Sequence, residues 1–409
     1  MIQLAIFIIL TTLLPTLFRK YPYFLILGTV FYSALTKQFS VSFLDLYSVY
    51  ASETQIISGD IGAGWRHLGY HIVIFSSMMT TARIFVKPMD GVQHKYGTYF
   101  TIFLVCLAAL AMQSINVGLS GLAFTDSRHQ IWLSVPFPII RQLFGILIIF
   151  IPFYSGYLVG KGVTGNRKKL TYLGLMLNSL YFIYLLASSQ GFNGLVVASI
   201  YFLSPLILIY SNDYGSRHLR LSFRSVLSVI VLVPLLLLIG SKDLGERGIS
   251  DITGGGWLAN FAYRVTILQG SFYYSSDYQI WSGQDKIKLS SLIDGSKYML
   301  DDSLTETYAE KSINVAGSIV GMAVVIFGFA GAVPFLVVFG AILGFLSVVA
   351  RSIILRGHPI EVIVLSYLVL WISSVYQTGS IATVLSVKFY LFIFVLIVLR
   401  IMRPARTVP

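Results

Sequence analysis

Charge is scarce in this chain of 409 residues. Asp, Glu, Lys and Arg make up 11% of it, where a soluble domain carries about 25%. So little charge cannot clothe a water-facing surface. The rest of the composition agrees: 56% of the residues are hydrophobic and the mean hydropathy is +0.79. Alternating apolar and polar segments of about ten residues are missing, which excludes an outer-membrane barrel. Cysteine is nearly absent. Cys106, the one copy, lies in the run IFLVCLAALAM, so no disulfide forms within the chain and the residue reads as a small buried hydrophobe. The motifs HExxH, CxxC, GxSxG and the P-loop are all missing, and GDIGAG at 59–64 sits in no βαβ unit. No cofactor and no bound metal are expected.

What the chain has is apolar length. Runs of roughly 18 residues match a hydrocarbon core of about 30 Å at 1.5 Å per helical residue. They fall at 1–18, 21–36, 66–86, 98–117, 135–159, 170–188, 194–211, 225–241, 331–350, 360–378 and 380–401. The expected fold is an all-α polytopic membrane protein of about eleven transmembrane helices with one large extracytoplasmic loop. It divides into an N-terminal bundle (1–241), the loop with a half-inserted helix (242–330), and three C-terminal helices (331–409). The basic pair Arg19-Lys20 follows the first apolar run instead of preceding it. That is the reverse of a signal peptide, so 1–18 reads as a retained helix with its N-terminus outside.

Basic residues set the orientation. The segments 19–20, 83–95, 161–169, 212–224, 351–356 and 400–406 hold 17 of the 29 basic residues, and placing them in the cytoplasm leaves 14 of 17 acids outside. The net charge of +12 is therefore a topology signal. Spread over six short loops, it makes no nucleic-acid surface. A hairpin within 312–350 would carry the five arginines at 351, 356, 400, 403 and 406 outside. A half-helix at 314–328 followed by one crossing keeps them inside. Such irregular backbone at membrane depth must line a cavity or be covered by protein.

Candidate chemistry concentrates on the outer side. Arg141 lies about two turns into its span and Lys388 two to three turns into the last; an ionisable residue there either snorkels to the interface or serves a function. Arg264, between Tyr263 and Val265, either pairs with a loop acid or binds an anion. Arg128, Arg247 and Arg66 complete the outer arginines. Tyr273, Tyr274, Tyr278 and Trp281 form an aromatic run that reads equally as a sugar-stacking surface or an interfacial belt. His67 and His71 stand at i, i+4, a spacing that suits a metal or simple hydrogen bonding, with no third ligand nearby. Lys168 and Lys169 belong to the cytoplasmic rim.

The loop helix YRVTILQGSFYY and the glycine-punctuated FGFAG at 327–331, set in this layout of helices and one large loop, resemble the Wzy-type O-antigen polymerases, membrane enzymes of Gram-negative bacteria. The resemblance covers most of the chain as topology. It implies an inner-membrane glycosyltransferase acting at the periplasmic face. A growing glycan would pass from undecaprenyl pyrophosphate to a hydroxyl of another lipid-linked repeat unit. Implied partners are that lipid-linked oligosaccharide, membrane lipid and a chain-length regulator, with no nucleic acid. Without a metal, arginines would neutralise the pyrophosphate. The implied set is Arg264 in catalysis and Arg141, Arg128, Lys388 and Arg247 on the pyrophosphate, with Asp277 first and Glu310 second as base. An O-antigen ligase, or another lipid-linked glycosyltransferase, would share the fold, but that relative carries a histidine in its large loop and residues 242–313 hold none. A flippase would show two related halves, and no repeat is visible.

Overall fold

The computed structural model describes residues 16–47, 61–118, 136–137, 150–188, 192–214, 266, 269–294 and 317–401. Among these there is helix and no strand. A short 3-10 turn at Pro22–Leu27 leads into α1 (Gly28–Tyr47). Then come α2 (Ala63–Phe85), α3 (Tyr96–Val117), α4 (Ile151–Thr164), α5 (Lys168–Ala187) and α6 (Phe192–Tyr214). A loop helix α7 (Gln269–Trp281) precedes α8 (Ile319–Arg356), α9 (Pro359–Thr378) and α10 (Val387–Ile401). Six stretches among the described residues are long and apolar enough to cross a membrane: Pro22–Leu46, Tyr96–Val117, Lys168–Ala187, Gly194–Tyr214, Ile319–Arg356 and Pro359–Thr378. The protein is thus a multi-pass α-helical membrane protein.

Close helix contacts rely on small residues, as they must where lipid supplies no hydrophobic drive between helices. A Cβ on Gly340 or Gly344 would lie 2.4 Å from the carbonyl oxygen of Ile74 or Met78, so this GxxxG pair lets α8 lie directly on α2. Gly156 does the same for α4 on α6, where a Cβ would come within 1.8 Å of the Phe202 carbonyl oxygen.

Three boundaries differ from those the apolar runs suggest, each for a physical reason. The second span does not stop at 36, because α1 continues to Tyr47. Lys37, buried within it, donates to the carbonyls of Gly317 and, at 2.8 Å, Gln377. Asp45, also buried, accepts the backbone N–H groups of Ile61, Gly62, Ala63 and Gly64 at 3.0–3.2 Å, capping the N-terminus of α2. Charges that read as loop are neutralised by groups far away in sequence. Lys161, expected on the cytoplasmic rim, is buried in α4 and donates to Val92 O at 2.9 Å and Leu355 O at 3.0 Å. The last apolar run is broken: a four-residue helix, Ala382–Leu385, ends at Ser386 and α10 begins at Val387.

α8 is kinked. Gly328 has φ 75° and ψ 175°, a conformation that glycine alone reaches without strain, and it separates an arm at 319–327 from a longer one at 329–356. The break frees carbonyls that must find donors. Val325 O accepts from Ile287 N at 3.2 Å, Phe327 O from Lys286 Nζ at 3.0 Å, and Phe329 O from the Tyr70 hydroxyl at 2.9 Å. The FGFAG segment is therefore a fixed turn, held by the chain after α7 and by α2.

Candidate functional site

α2 presents Arg66 and Tyr70 to this turn, and His67 and His71 to the layer behind it. α7 covers them, because Gly270 approaches α1 closely enough that a Cβ would lie 2.6 Å from Val41 N, and Phe272 packs against Gly321 of α8. This arrangement brings Asp277 of α7 to Arg66. Arg66 Nε lies 3.1 and 2.9 Å from the two carboxylate oxygens, and Nη2 also donates to Oδ1. The Tyr273 hydroxyl donates to Oδ2 at 3.0 Å. Asp277 is fully buried while the Arg66 side chain keeps 27% of its surface exposed. Burial raises the Asp277 carboxyl above its ordinary range, and Arg66 opposes the rise without cancelling it. The same burial, with the carboxylate beside it, pushes the Tyr273 phenol well above its usual value. The guanidinium lies over the ring of Phe329, 4.7 Å from its centroid. Its Nη1 edge makes no hydrogen bond among the described residues. The exposed Lys286 meets the same turn from the other side, through Phe327 O.

Behind Arg66 lies a buried polar layer whose hydrogens are fixed by logic. The Gln38 amide nitrogen touches Gly64 O at 3.0 Å, and a carbonyl can only accept, so that atom is the NH₂ group. It also donates to Ser42 Oγ at 3.0 Å. Gln38 Oε1 then faces His67 Nδ1 at 2.7 Å, which makes Nδ1 the protonated nitrogen. His71 Nδ1 donates to His67 O at 2.8 Å, leaving its Nε2 to accept from the Tyr376 hydroxyl. The His67 ring lies 4.2 Å from both His71 and Tyr273.

A protein-family model described as a family of unknown function, DUF6418, matches residues 296–393. No curated protein and no solved structure matches the chain. The matched segment contains the kink of α8, the end of α9 and the start of α10. It therefore holds the receiving side of the site (Phe327, Gly328, Phe329, Tyr376), whereas Lys37, Arg66, His67 and Asp277 lie outside it.

The structure treats the sequence candidates unequally. Arg264, Glu310, Arg141, Arg128 and Arg247 lie outside the described residues. Asp277, expected as a base, has both oxygens engaged by Arg66 and Tyr273, so here it anchors a cation. Tyr273 and Tyr274 are buried at 1% and 0% exposure and offer no face to a sugar, because their side of α7 is the packed one. One turn on, Tyr278 is half-buried against the core while Trp281 is 53% exposed, and the two rings lie 6.0 Å apart. Lys388 does not follow an unbroken helix from residue 380. The break at Ser386 leaves it in the first turn of α10, exposed. Sequence reasoning ranked Arg66 behind Arg264 and missed Gln38 altogether. The one signal was the His67/His71 spacing, which marks the face of α2 that carries the polar layer.

Proposed function

We propose that this protein is an O-antigen polymerase of the bacterial inner membrane. It crosses the membrane about eleven times, holds residues 242–313 in the periplasm, and there transfers a growing glycan from undecaprenyl pyrophosphate to a hydroxyl of another lipid-linked repeat unit. The observation that carries this reading is Arg66. A partly exposed guanidinium, fixed on one edge by a buried carboxylate and open on the other, is a preorganised receptor for a phosphate group. Lys286 adds a second cation at the same glycine turn. Fixed cations in a site of reduced dielectric stabilise the charge that develops on a departing pyrophosphate, worth several kcal/mol where mobile surface cations contribute little. Tyr278 and Trp281 stand one turn beyond on α7, suited to a pyranose ring. The chain-length regulator remains the expected protein partner.

Deleting the gene tests the reading. The ladder of long glycans on a lipopolysaccharide gel should vanish while the lipid A core keeps a single repeat unit. Loss of that single unit as well would point to a ligase or a flippase and would sink the polymerase assignment. Orientation is tested separately by a cysteine at Ser290 on a Cys106→Ser background. It should react with an impermeant reagent from the periplasm; labelling only after the inner membrane is permeabilised would reverse the topology.

A further inference from the structure

We propose that Nε2 of His67 is the proton acceptor for the incoming sugar hydroxyl. The inference rests on the polymerase reading and adds the base that Asp277, held by Arg66, does not supply. The bonds around Gln38 put the His67 proton on Nδ1, so Nε2 is a bare lone pair. It has no hydrogen-bond partner among the described residues, and the residue is fully buried. A proton placed there at rest would be a buried charge without compensation, which keeps the ring neutral and able to accept. Its orientation is fixed from three elements: Gln38 of α1, His71 of α2 on one side and Tyr273 of α7 on the other. Arg66 precedes it in the same helix, and both meet α7 within one turn, Arg66 through Asp277 and His67 through the Tyr273 ring, so a phosphate on Arg66 and this nitrogen serve the same stretch of α7.

The step balances. The acceptor oxygen bonds to the anomeric carbon of the donor, the bond from that carbon to the phosphate oxygen breaks with its electron pair leaving on pyrophosphate, and the hydroxyl proton moves to Nε2. The new imidazolium forms as the anion at Arg66 gains charge, so the two changes offset each other. Tyr273 covers the ring in the described state, and access requires α7 to lift. The Arg66–Asp277 pair is one of the contacts that hold α7 there, and a phosphate on the open edge of Arg66 weakens it by sharing the guanidinium charge.

His67→Asn isolates the role. Its amide nitrogen can occupy the Nδ1 position and keep the bond to Gln38, while nothing replaces Nε2. In a reconstituted reaction with purified protein and lipid-linked repeat units, H67N should lose at least a hundredfold in polymerisation rate, the scale of a general base, and should elute from a sizing column as wild type does. Polymerisation within threefold of wild type would overturn the proposal. Should H67N fail to reach the membrane, His67→Ala assayed with added imidazole decides instead. Restored chain growth supports the role, and a properly assembled H67A that imidazole leaves inactive overturns it. Failure of the polymerase reading itself would show differently, as an unchanged glycan ladder in the deletion strain.

Discussion

The two ends of the helix bundle handle positive charge in different ways. At the Lys161 end, cations are spent on backbone carbonyls. Lys161 donates to Val92 and Leu355, Arg167 Nη1 to His94 O at 2.8 Å, Arg356 Nε to Asp90 O at 3.1 Å, and Arg351 to Lys87 O. These bonds stitch the 86–95 connection to the ends of α4 and α8. At the Arg66 end, about 40 Å away along the 329–356 arm of α8 at 1.5 Å per residue, Lys37 and Lys286 also donate to carbonyls, but the Arg66 guanidinium meets a carboxylate, an aromatic ring and an open edge. A cation that closes a carbonyl ties segments of the chain together. One held by a buried acid while part of it faces outward is positioned for something that is not yet there.

The largest test of that contrast is Arg66→Ala. Chain growth should fall by orders of magnitude, and Arg66→Lys should recover little if two-pronged phosphate contact matters, because an ammonium cannot reproduce the fork. Removing Arg66 alone also strands the Asp277 carboxylate in a buried site, at a cost of about 3–5 kcal/mol. Arg66→Ala combined with Asp277→Asn relieves that strain, so the double variant should regain thermal stability and remain inactive. Arg167→Ala at the opposite end should be nearly silent in the same assay. Equal losses at both ends would erase the distinction.

How much of this was legible in the sequence depends on how far apart the partners lie. Membrane class and most helices were legible because apolar length is a local property. The break in α8 was legible because Gly328 sits in a glycine-punctuated turn. The extension of α1 through Lys37 and Asp45 was not, since their neutralising partners are Gly317, Gln377 and the 61–64 backbone. The pairing of Arg66 with Asp277 spans 211 positions, and nothing local to either residue announces it. Asp277 drew attention because it follows an aromatic run, but its role depends on which side of α7 is packed, and a one-helix pattern does not fix that.

Lys161→Met probes the other end. It leaves the Val92 carbonyl, and in part that of Leu355, without a donor, for a loss of about 1–3 kcal/mol. The methionine chain fills the same space, so the variant should melt earlier in detergent and yet make glycans of normal length. A changed glycan distribution at normal stability would mean that the Lys161 end takes part in function.

Asp277 gives the contrast a pH signature. A carboxyl whose pKa is raised on folding holds its proton more tightly folded than unfolded. Stability is therefore lost as pH climbs from the ordinary value of 3.8 through the raised folded value. Asp277→Asn has no such proton. The melting temperature of the wild type should decline relative to Asp277→Asn across that window and run parallel to it above. Curves that stay parallel throughout would show that Arg66 fully offsets the burial.

The smallest effect is expected at Lys388. Depth in an apolar run is what made it a candidate, since a lysine deep in a hydrocarbon core must be compensated. The structure puts Lys388 in the first turn of α10, just after the break at Ser386, exposed among Val387, Tyr390 and Leu391, which are themselves 83%, 55% and 56% exposed. A flexible ammonium at a helix end reaches the headgroup region through its own stem and needs no protein partner. Lys388→Ala should accordingly leave both the glycan ladder and the melting temperature within error of wild type, while Lys286→Ala, at the Gly328 turn, should shorten the chains measurably. If Lys388→Ala proves the more damaging of the two, the second cation of the site belongs to α10 and not to the chain following α7, and Arg66 would have to share its anion across a different wall.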